Sequence, residues 1–439
     1  MSDYLFQLES HLAPELQLAL QTAEKSATTA GTHLFLTGGA LRDTLCGTPV
    51  TTLEFTVEGN PAKLIKDVAT KTGAKTQDSP SSRKATRLIL PGGSVVEIGM
   101  AQQATYSKPG ANPQIKPASI HDDLRGRDFT LNAVALSLNP NSRGLMLDPT
   151  NGLGDIEHRE IRATTNYTLY DEPARMLRML RLKTRLGFQI AERTQMQYEN
   201  VREAKLEEKI PASSLYVELR AMASEPDPGA LLALLEQEKL LGLFSPTLAG
   251  PKMNQAGLAK LHKLRQMLPY GADIHVENVG IFLFVLCELF SPKEKAAFIK
   301  ELGIPKEDVD LWQKLDQRAK KLETALQSAK LNRASLVYHT LRTAPGDQVL
   351  YLLYRSQQRL VQDRLKKYLT IYVPGVLEIT DREVMAHSGL DITSPKYAKA
   401  KEDYINGRLD GRIRKPAPVE EAPLPPAVPG RRGRPPSNK

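Results

Sequence analysis

Two adjacent glycines and three oxygen-bearing side chains carry the chemistry that this sequence can offer. In residues 33–59, HLFLTGGALRDTLCGTPVTTLEFTVEG, His33 to Thr37 reads as an apolar strand and Gly38-Gly39 as a turn. A helix then opens at Ala40, and Thr51 to Val57 reads as a second strand. A glycine pair lets the backbone approach a ligand closely, and the helix behind it aims unpaired N–H groups and its positive dipole end at that ligand. Strand residues two apart face one side, so Thr52 and Glu54 project together. Farther on, Glu97 lies inside the apolar run VVEIGM. An acid there costs energy without a partner, so Glu97 is either an edge residue or a ligand. Such a seat holds a nucleoside triphosphate and its metal when the side chains facing it are carboxylates.

The elements that must position these groups are legible around them. Leu5, Leu8, Leu12, Leu16 and Leu20, at spacings of three and four, predict an amphipathic packing helix over residues 2–30 that leads into the first strand. Pro61 to Thr72 reads as a helix ended by Gly73, and Ala85–Leu90 and Val95–Met100 as strands joined by a Pro91-Gly92-Gly93 hairpin turn. From Asp171 to Phe188, DEPARMLRMLRLKTRLGF predicts a helix with Pro173 in its first turn and Gly187 at its end. Arg178, Arg181 and Arg185 form a stripe on it opposite Met176 and Leu180. Residues 190–370 are helical in pattern, broken at prolines. Lys252–Arg265 and Lys314–Lys330 are rich in Lys and Arg, which suits either an RNA-facing or a solvated surface.

A length of 439 residues calls for several domains. No apolar run approaches the ~20 residues of a membrane span. The longest, Val279 to Leu286, reads as a buried helix. Cys46 and Cys287 are too few for a disulfide framework or a zinc site, and MSDYLFQLES has neither a basic start nor an apolar core, so a cytoplasmic protein without a signal peptide is expected. The net charge of +9 favours a polyanionic partner. Residues 415–439 hold eight prolines and almost no large apolar side chains, which predicts a disordered basic tail. Within it Arg432-Gly433-Arg434-Pro435 resembles an AT-hook core for A·T-rich DNA; a solubilising or phosphate-binding tail is the alternative.

The ordered string Gly38, Gly39, Arg42, Asp43, Leu45, Gly47, Leu53 resembles motif A of the tRNA CCA-adding enzyme and bacterial poly(A) polymerase family. Thr52 and Glu54 stand where that family has its two metal-binding aspartates, and Glu97 where it has a third carboxylate. HDDLRGRDFTLNA resembles the family's DLxRRDFTxNA motif, with Arg127, Asp128 and Asn132 in place and Gly126 for the first arginine. Gln102 and Ala104 replace an Arg and a Glu ahead of Thr105-Tyr106. The family's base-reading EDxxR motif falls on Asp171, Glu172 and Arg175, its two acids reversed. Asp381 and Glu383 replace a Gly and an Asp of the tail unit, which loses its PGP turn around Ser394-Pro395. His121-Asp122 spells HD, but the further ligands of a metal phosphohydrolase are missing.

The resemblance covers residues 34–411 and implies an α+β fold: a nucleotidyltransferase-type mixed-sheet head followed by all-helical neck, body and tail domains. The expected boundaries are 1–30 for an N-terminal helix, 31–150 for the head, 151–225 for the neck, 226–370 for the body, 371–414 for the tail and 415–439 for the Pro-rich extension. It implies transfer of AMP or CMP from ATP or CTP to a tRNA or other RNA 3′ end with Mg2+ held at Glu54 and Glu97, weakened or lost because Thr52 is neutral. Gly38, Gly39, Arg42, Asp43, Arg127, Asp128, Asn132, Glu172, Arg175 and Arg178 are the nucleotide-binding residues it points to, and it turns the arginine stripe toward that role rather than toward solvent. A catalytically inactive RNA-binding homologue is the alternative, and an AT-hook DNA-associated regulator a lesser one.

Overall fold

The computed structural model describes residues 4–78, 85–272 and 274–415; Arg432–Pro435 lie outside them. The N-terminal leucines are carried by two helices, α1 (Tyr4–His11) and α2 (Pro14–Ala30), not by one. Pro14 has no N–H to donate and bars the helical conformation at Ala13, which is extended at φ −59°, ψ 149°. All five leucines are nonetheless buried.

The head then runs β1 (His33–Thr37), α3 (Gly39–Leu45), β2 (Thr52–Glu58), α4 (Ala62–Thr72), β3 (Lys75–Asp78), β4 (Ala85–Ile89), β5 (Val95–Met100), the hairpin β6 (Gln102–Thr105) and β7 (Gln114–Pro117), α5 (Ile120–Arg125), β8 (Ala135–Ser137) and β9 (Met146–Leu147). Seven strands form one mixed sheet in the order β3-β4-β5-β2-β1-β8-β9, in which only β2 and β5 run parallel. Alternation sorts its faces. Leu34, Leu36, Leu53, Phe55, Val57, Val96 and Ile98 point at α1, α2 and α4 and make the head's core, while Thr37, Glu54, Thr56 and Glu97 take the opposite face.

The helices that follow, termed the neck, are α6 (Gly152–Glu157), α7 (Thr168–Asp171), α8 (Arg175–Leu186), α9 (Glu192–Glu203) and α10 (Ala212–Ala223). The helix expected from Asp171 to Phe188 is therefore broken. Pro173 expels Glu172 from the helical region, to φ −132°, ψ 85°, and α8 starts only at Arg175. Gly187 ends it in the left-handed conformation as expected. One continuous apolar cluster, from Phe129 and Met176 through Phe282 in the helix Asn278–Leu286 to Leu369, joins α8 and α10 to the following helices. The last two helices, Asp381–Ser388 and Tyr397–Leu409, pack around Val384, Tyr397 and Tyr404. Cys46 and Cys287 are both free. Among the described residues no helix is long and apolar enough to cross a membrane.

Candidate nucleotide and phosphate site

Strand register brings the expected acids together. Thr37 lies opposite Glu54, Glu54 opposite Glu97, and Glu97 opposite Arg87, so one rung crosses β1, β2, β5 and β4. Directly opposed residues share a face. Glu54 and Glu97 line a small cavity of about 40 Å³ with Thr37, Thr56, Gln102 and Arg127. Thr52, two residues back along β2 on the same face, lies outside that cavity.

The glycine turn is built around Glu54. Gly38 has φ +73°, and a Cβ there would stand 2.1 Å from Glu54 Oε2, so only glycine leaves room for the carboxylate. Gly39 N–H donates to Glu54 Oε1 at 3.1 Å. Arg127 Nη1 lies 3.9 Å from Glu54 Oε2, while its Nη2 donates to Thr37 Oγ1 and Thr56 Oγ1 at 3.0 and 3.1 Å and its Nε to Asp123 at 3.0 Å. Gln102, at the position of a family arginine, is buried, and its Oε1 has no hydrogen-bond partner.

A buried polar chain runs from here into the neck. Arg42 donates to Asp43 Oδ1 through Nε and Nη2, and to Asn132 Oδ1 through Nη1 at 2.7 Å. Asn132 donates to Asp128 Oδ1 at 3.0 Å, and Arg178 to Asp128 Oδ2 at 2.8 Å. Burial alone would push the Asp128 carboxyl up; Arg178 and Arg175 overcome it and hold it well below the usual carboxylate range. The arginine stripe is thus neither solvated nor open. Arg178 also clamps Glu218, Arg181 bridges Glu218 and Glu225, and Arg185 reaches back to Asp43 at 2.9 Å.

A larger cavity of about 290 Å³ opens between the β6–β7 hairpin and α8 and α10, lined by Tyr106, Asn112, Glu172, Arg178, Ser213 and Glu218 among others. Because Glu172 is out of the helix, its Oε2 accepts from both Tyr106 Oη at 3.0 Å and Arg175 Nε at 3.1 Å. Burial and the neighbouring Glu172 push the Tyr106 hydroxyl pKa up, so it stays a donor. Glu172, Arg178, Glu54, Glu97 and Arg127 therefore face cavities, whereas the buried Arg42, Asp43, Asp128 and Arg175 and the half-buried Asn132 form the frame behind them. Sequence reading missed Arg87. Counting back from the Pro91-Gly92-Gly93 turn, with Ile89 opposite Val95, places it against Glu97.

Asp381 accepts hydrogen bonds within the tail, from Tyr397 Oη and Lys401 Nζ, both at 2.7 Å. His121-Asp122 serves the start of α5, where Ser119 Oγ donates to Asp122 Oδ2 at 2.7 Å and accepts from Asp122 N–H at 3.2 Å.

Residues 34–162 match the profile of the poly A polymerase head domain. The chain is 27% identical over 339 residues to the A-adding tRNA nucleotidyltransferase of Aquifex aeolicus, covering 76% of this chain and 40% of that protein. It is 35% identical over 205 residues to the CC-adding tRNA nucleotidyltransferase of Deinococcus radiodurans, covering 47% of this chain and 54% of that one. Over its head the chain is similar to the CCA-adding enzyme and poly(A) polymerase family. The solved structure of a CCA-adding enzyme in its apo form II superposes with a TM-score of 0.52 at 22% identity, over 94% of this chain and 96% of that one, which shows a shared fold. The chain spans about half the length of the curated relatives it matches.

Proposed function

We propose that this protein is a nucleotidyltransferase of the tRNA type that binds ATP or CTP between head and neck together with the 3′ end of a tRNA or similar RNA, and that its transfer step is impaired. The observation that carries this reading is the Tyr106–Glu172–Arg175 cluster beside the larger cavity. It sets a carboxylate acceptor next to guanidinium donors, the pairing that an unpaired base edge requires. The frame of Arg42, Asp128, Asn132 and Arg178 ties that cluster to the Gly38-Gly39 turn, so base and phosphates are held in one register.

The reaction would join the RNA 3′-oxygen to the α-phosphorus, break its bond to the bridging oxygen of the β-phosphate, and release pyrophosphate and the hydroxyl proton. Glu172, held by Arg175 and Tyr106, would orient the base, and Arg127 would face the phosphates. The two magnesium ions of the family need hard anionic oxygens in number. The donor set argues against their fit: two carboxylates face the small cavity, one already accepting Gly39 N–H and neighboured by Arg127, the other opposite Arg87. No step is therefore routed through a cation.

The test incubates purified protein with Mg2+, labelled ATP or CTP, and tRNA lacking its 3′ end. Nucleotide and tRNA binding with slow incorporation, abolished by Glu172→Ala, is the expected result. Salt-sensitive tRNA binding with no incorporation would assign a silent RNA binder. Binding of neither ligand would overturn the proposal.

A further inference from the structure

The rung across the head sheet holds two acids, with Arg87 at one end of the pair and Arg127 approaching the other from outside the sheet. Glu97 lies opposite Arg87 on β4, Glu54 lies beside Glu97 on β2, and Arg127 Nη1 approaches Glu54 Oε2 to 3.9 Å. From Arg87 along the rung and on to Arg127 beside it the charges read plus, minus, minus, plus. A centre of three carboxylates carries a negative charge that attracts divalent cations; here Glu54, Glu97 and the Asp123 that also pairs with Arg127 meet two guanidinium groups, and the formal sum falls to −1.

Arg87 is placed at some cost. Its Nε is buried without a hydrogen-bond partner. Burial lowers its pKa and nearby Arg220 lowers it further, against Glu97, Glu277 and Asp308, which raise it. Of these three acids, Asp308 is engaged by Arg220 at 2.7 Å and by the Tyr216 hydroxyl. Glu277 caps the helix Asn278–Leu286 by accepting from Val279 N–H. Glu97 is the acid directly opposed to Arg87 across the strand pair. A half-buried guanidinium with a buried, unpartnered Nε is costly, so its position beside the acid pair calls for a compensating role there.

We propose that Arg87 and Arg127 stand in for the divalent cation at Glu97 and Glu54, so that this centre takes up no Mg2+ and nucleotide binding in the adjoining cleft is independent of metal. A guanidinium supplies directed donors without needing the octahedral oxygen shell that magnesium demands. The nucleotide half of this inference rests on the function proposed above; the metal half does not.

The experiment titrates the full chain with Mn2+ alone, following free Mn2+ by electron paramagnetic resonance. Wild type is expected to show no saturable site up to about 1 mM, while Arg87→Met, which keeps the side chain's length without its charge, gains a site at least about tenfold tighter. Arg87→Lys, which preserves the charge, is expected to behave as wild type. A tight wild-type site, or Arg87→Met and wild type binding alike, would overturn the inference. A second measurement needs no variant: the wild-type affinity for ATP or CTP should change by less than about threefold on adding a chelator, and a loss beyond about tenfold would also overturn it. Should no nucleotide bind under either condition, the proposed function fails while the Mn2+ titration still decides the metal claim.

Discussion

Replacing Arg178 by methionine should unfasten the head from the neck. The guanidinium lies 2.8 Å from Asp128 in the head and 2.8 Å from Glu218 on α10, and the side chains are 24%, 9% and 2% exposed. Methionine keeps the apolar stem and removes all the donors, stranding two buried carboxylates. Glu218 retains Arg181 at 3.4 Å, whereas Asp128 Oδ2 loses its 2.8 Å donor. Breaking a buried pair by removing one partner costs about 3–5 kcal/mol, and the partial exposure of Arg178 puts this case near the lower end, about 3 kcal/mol. At about 2–4 °C per kcal/mol for units of this size, the melting transition should fall by about 6–12 °C. The pH dependence supplies a second readout. In the wild type Asp128 sits below the ordinary carboxylate range, so its contribution is complete above pH ~3.9 and fades as the pH falls below that. Without Arg178, Arg175 and Asn132 alone oppose burial, so the Asp128 pKa returns toward the ordinary range and the deficit shrinks as the pH falls below ~3.9. Urea unfolding followed by circular dichroism should therefore show a larger deficit at pH about 7.5 than at about 3. A deficit below about 1 kcal/mol, the level of an exposed ion pair, or one that ignores pH, would refute the reasoning.

Gly38→Ala should displace Glu54, because the new Cβ would fall 2.1 Å from its Oε2 at a φ of +73°; a melting temperature and nucleotide affinity both unchanged would contradict the geometry. In an Arg87→Met background, Thr52→Asp combined with Glu54→Asp should restore divalent-cation binding and raise incorporation of labelled ATP or CTP, and no gain in either would show that more than the acid pair and Arg87 has changed. Tyr106→Phe deletes the donor 3.0 Å from Glu172 Oε2 and should alter the ratio of ATP to CTP binding by about tenfold, measured by competition; an unchanged ratio would remove Tyr106 from base selection.

The head was legible because its signals are local and periodic. Alternation in TLEFTVE and VVEIGM set which residues face the core, and the glycine pair marked the turn, whereas only the family resemblance put Glu97 beside Glu54. What escaped depends on partners far along the chain. The stripe of Arg178, Arg181 and Arg185 reads in isolation as a basic surface, and only the folding of α10 and α3 against it supplies Glu218, Glu225 and Asp43. The two proline breaks went unread for a different reason. Leu8 to Leu16 keeps its helical spacing across Pro14, and DEPARM satisfies a helix start, so periodicity outweighed the constraint a proline places on the residue before it.

That last constraint shapes the site itself. Had Glu172 stayed helical, its side chain would follow α8 as Arg175 does; extended by Pro173, it turns to meet the hydroxyl of Tyr106 on the head's hairpin segment. The same hairpin is tied down again where Gly110 N–H donates to Asp171 C=O at 3.2 Å and where a Cβ on Gly110 would strike Lys209 C=O at 2.5 Å. The wall of the larger cavity is thus one head segment bound to the neck at two points. Asp43 is likewise shared between Arg42 and Arg185, and Asp128 between Asn132 and Arg178. Any change in the angle between head and neck must break a buried charge pair at one end of this frame or move the glycine turn at the other. In the proposed nucleotide complex the positions of base and phosphates are therefore mechanically coupled, and substitutions at Arg185 or Arg178, remote from the acid rung, should alter nucleotide affinity as well as stability.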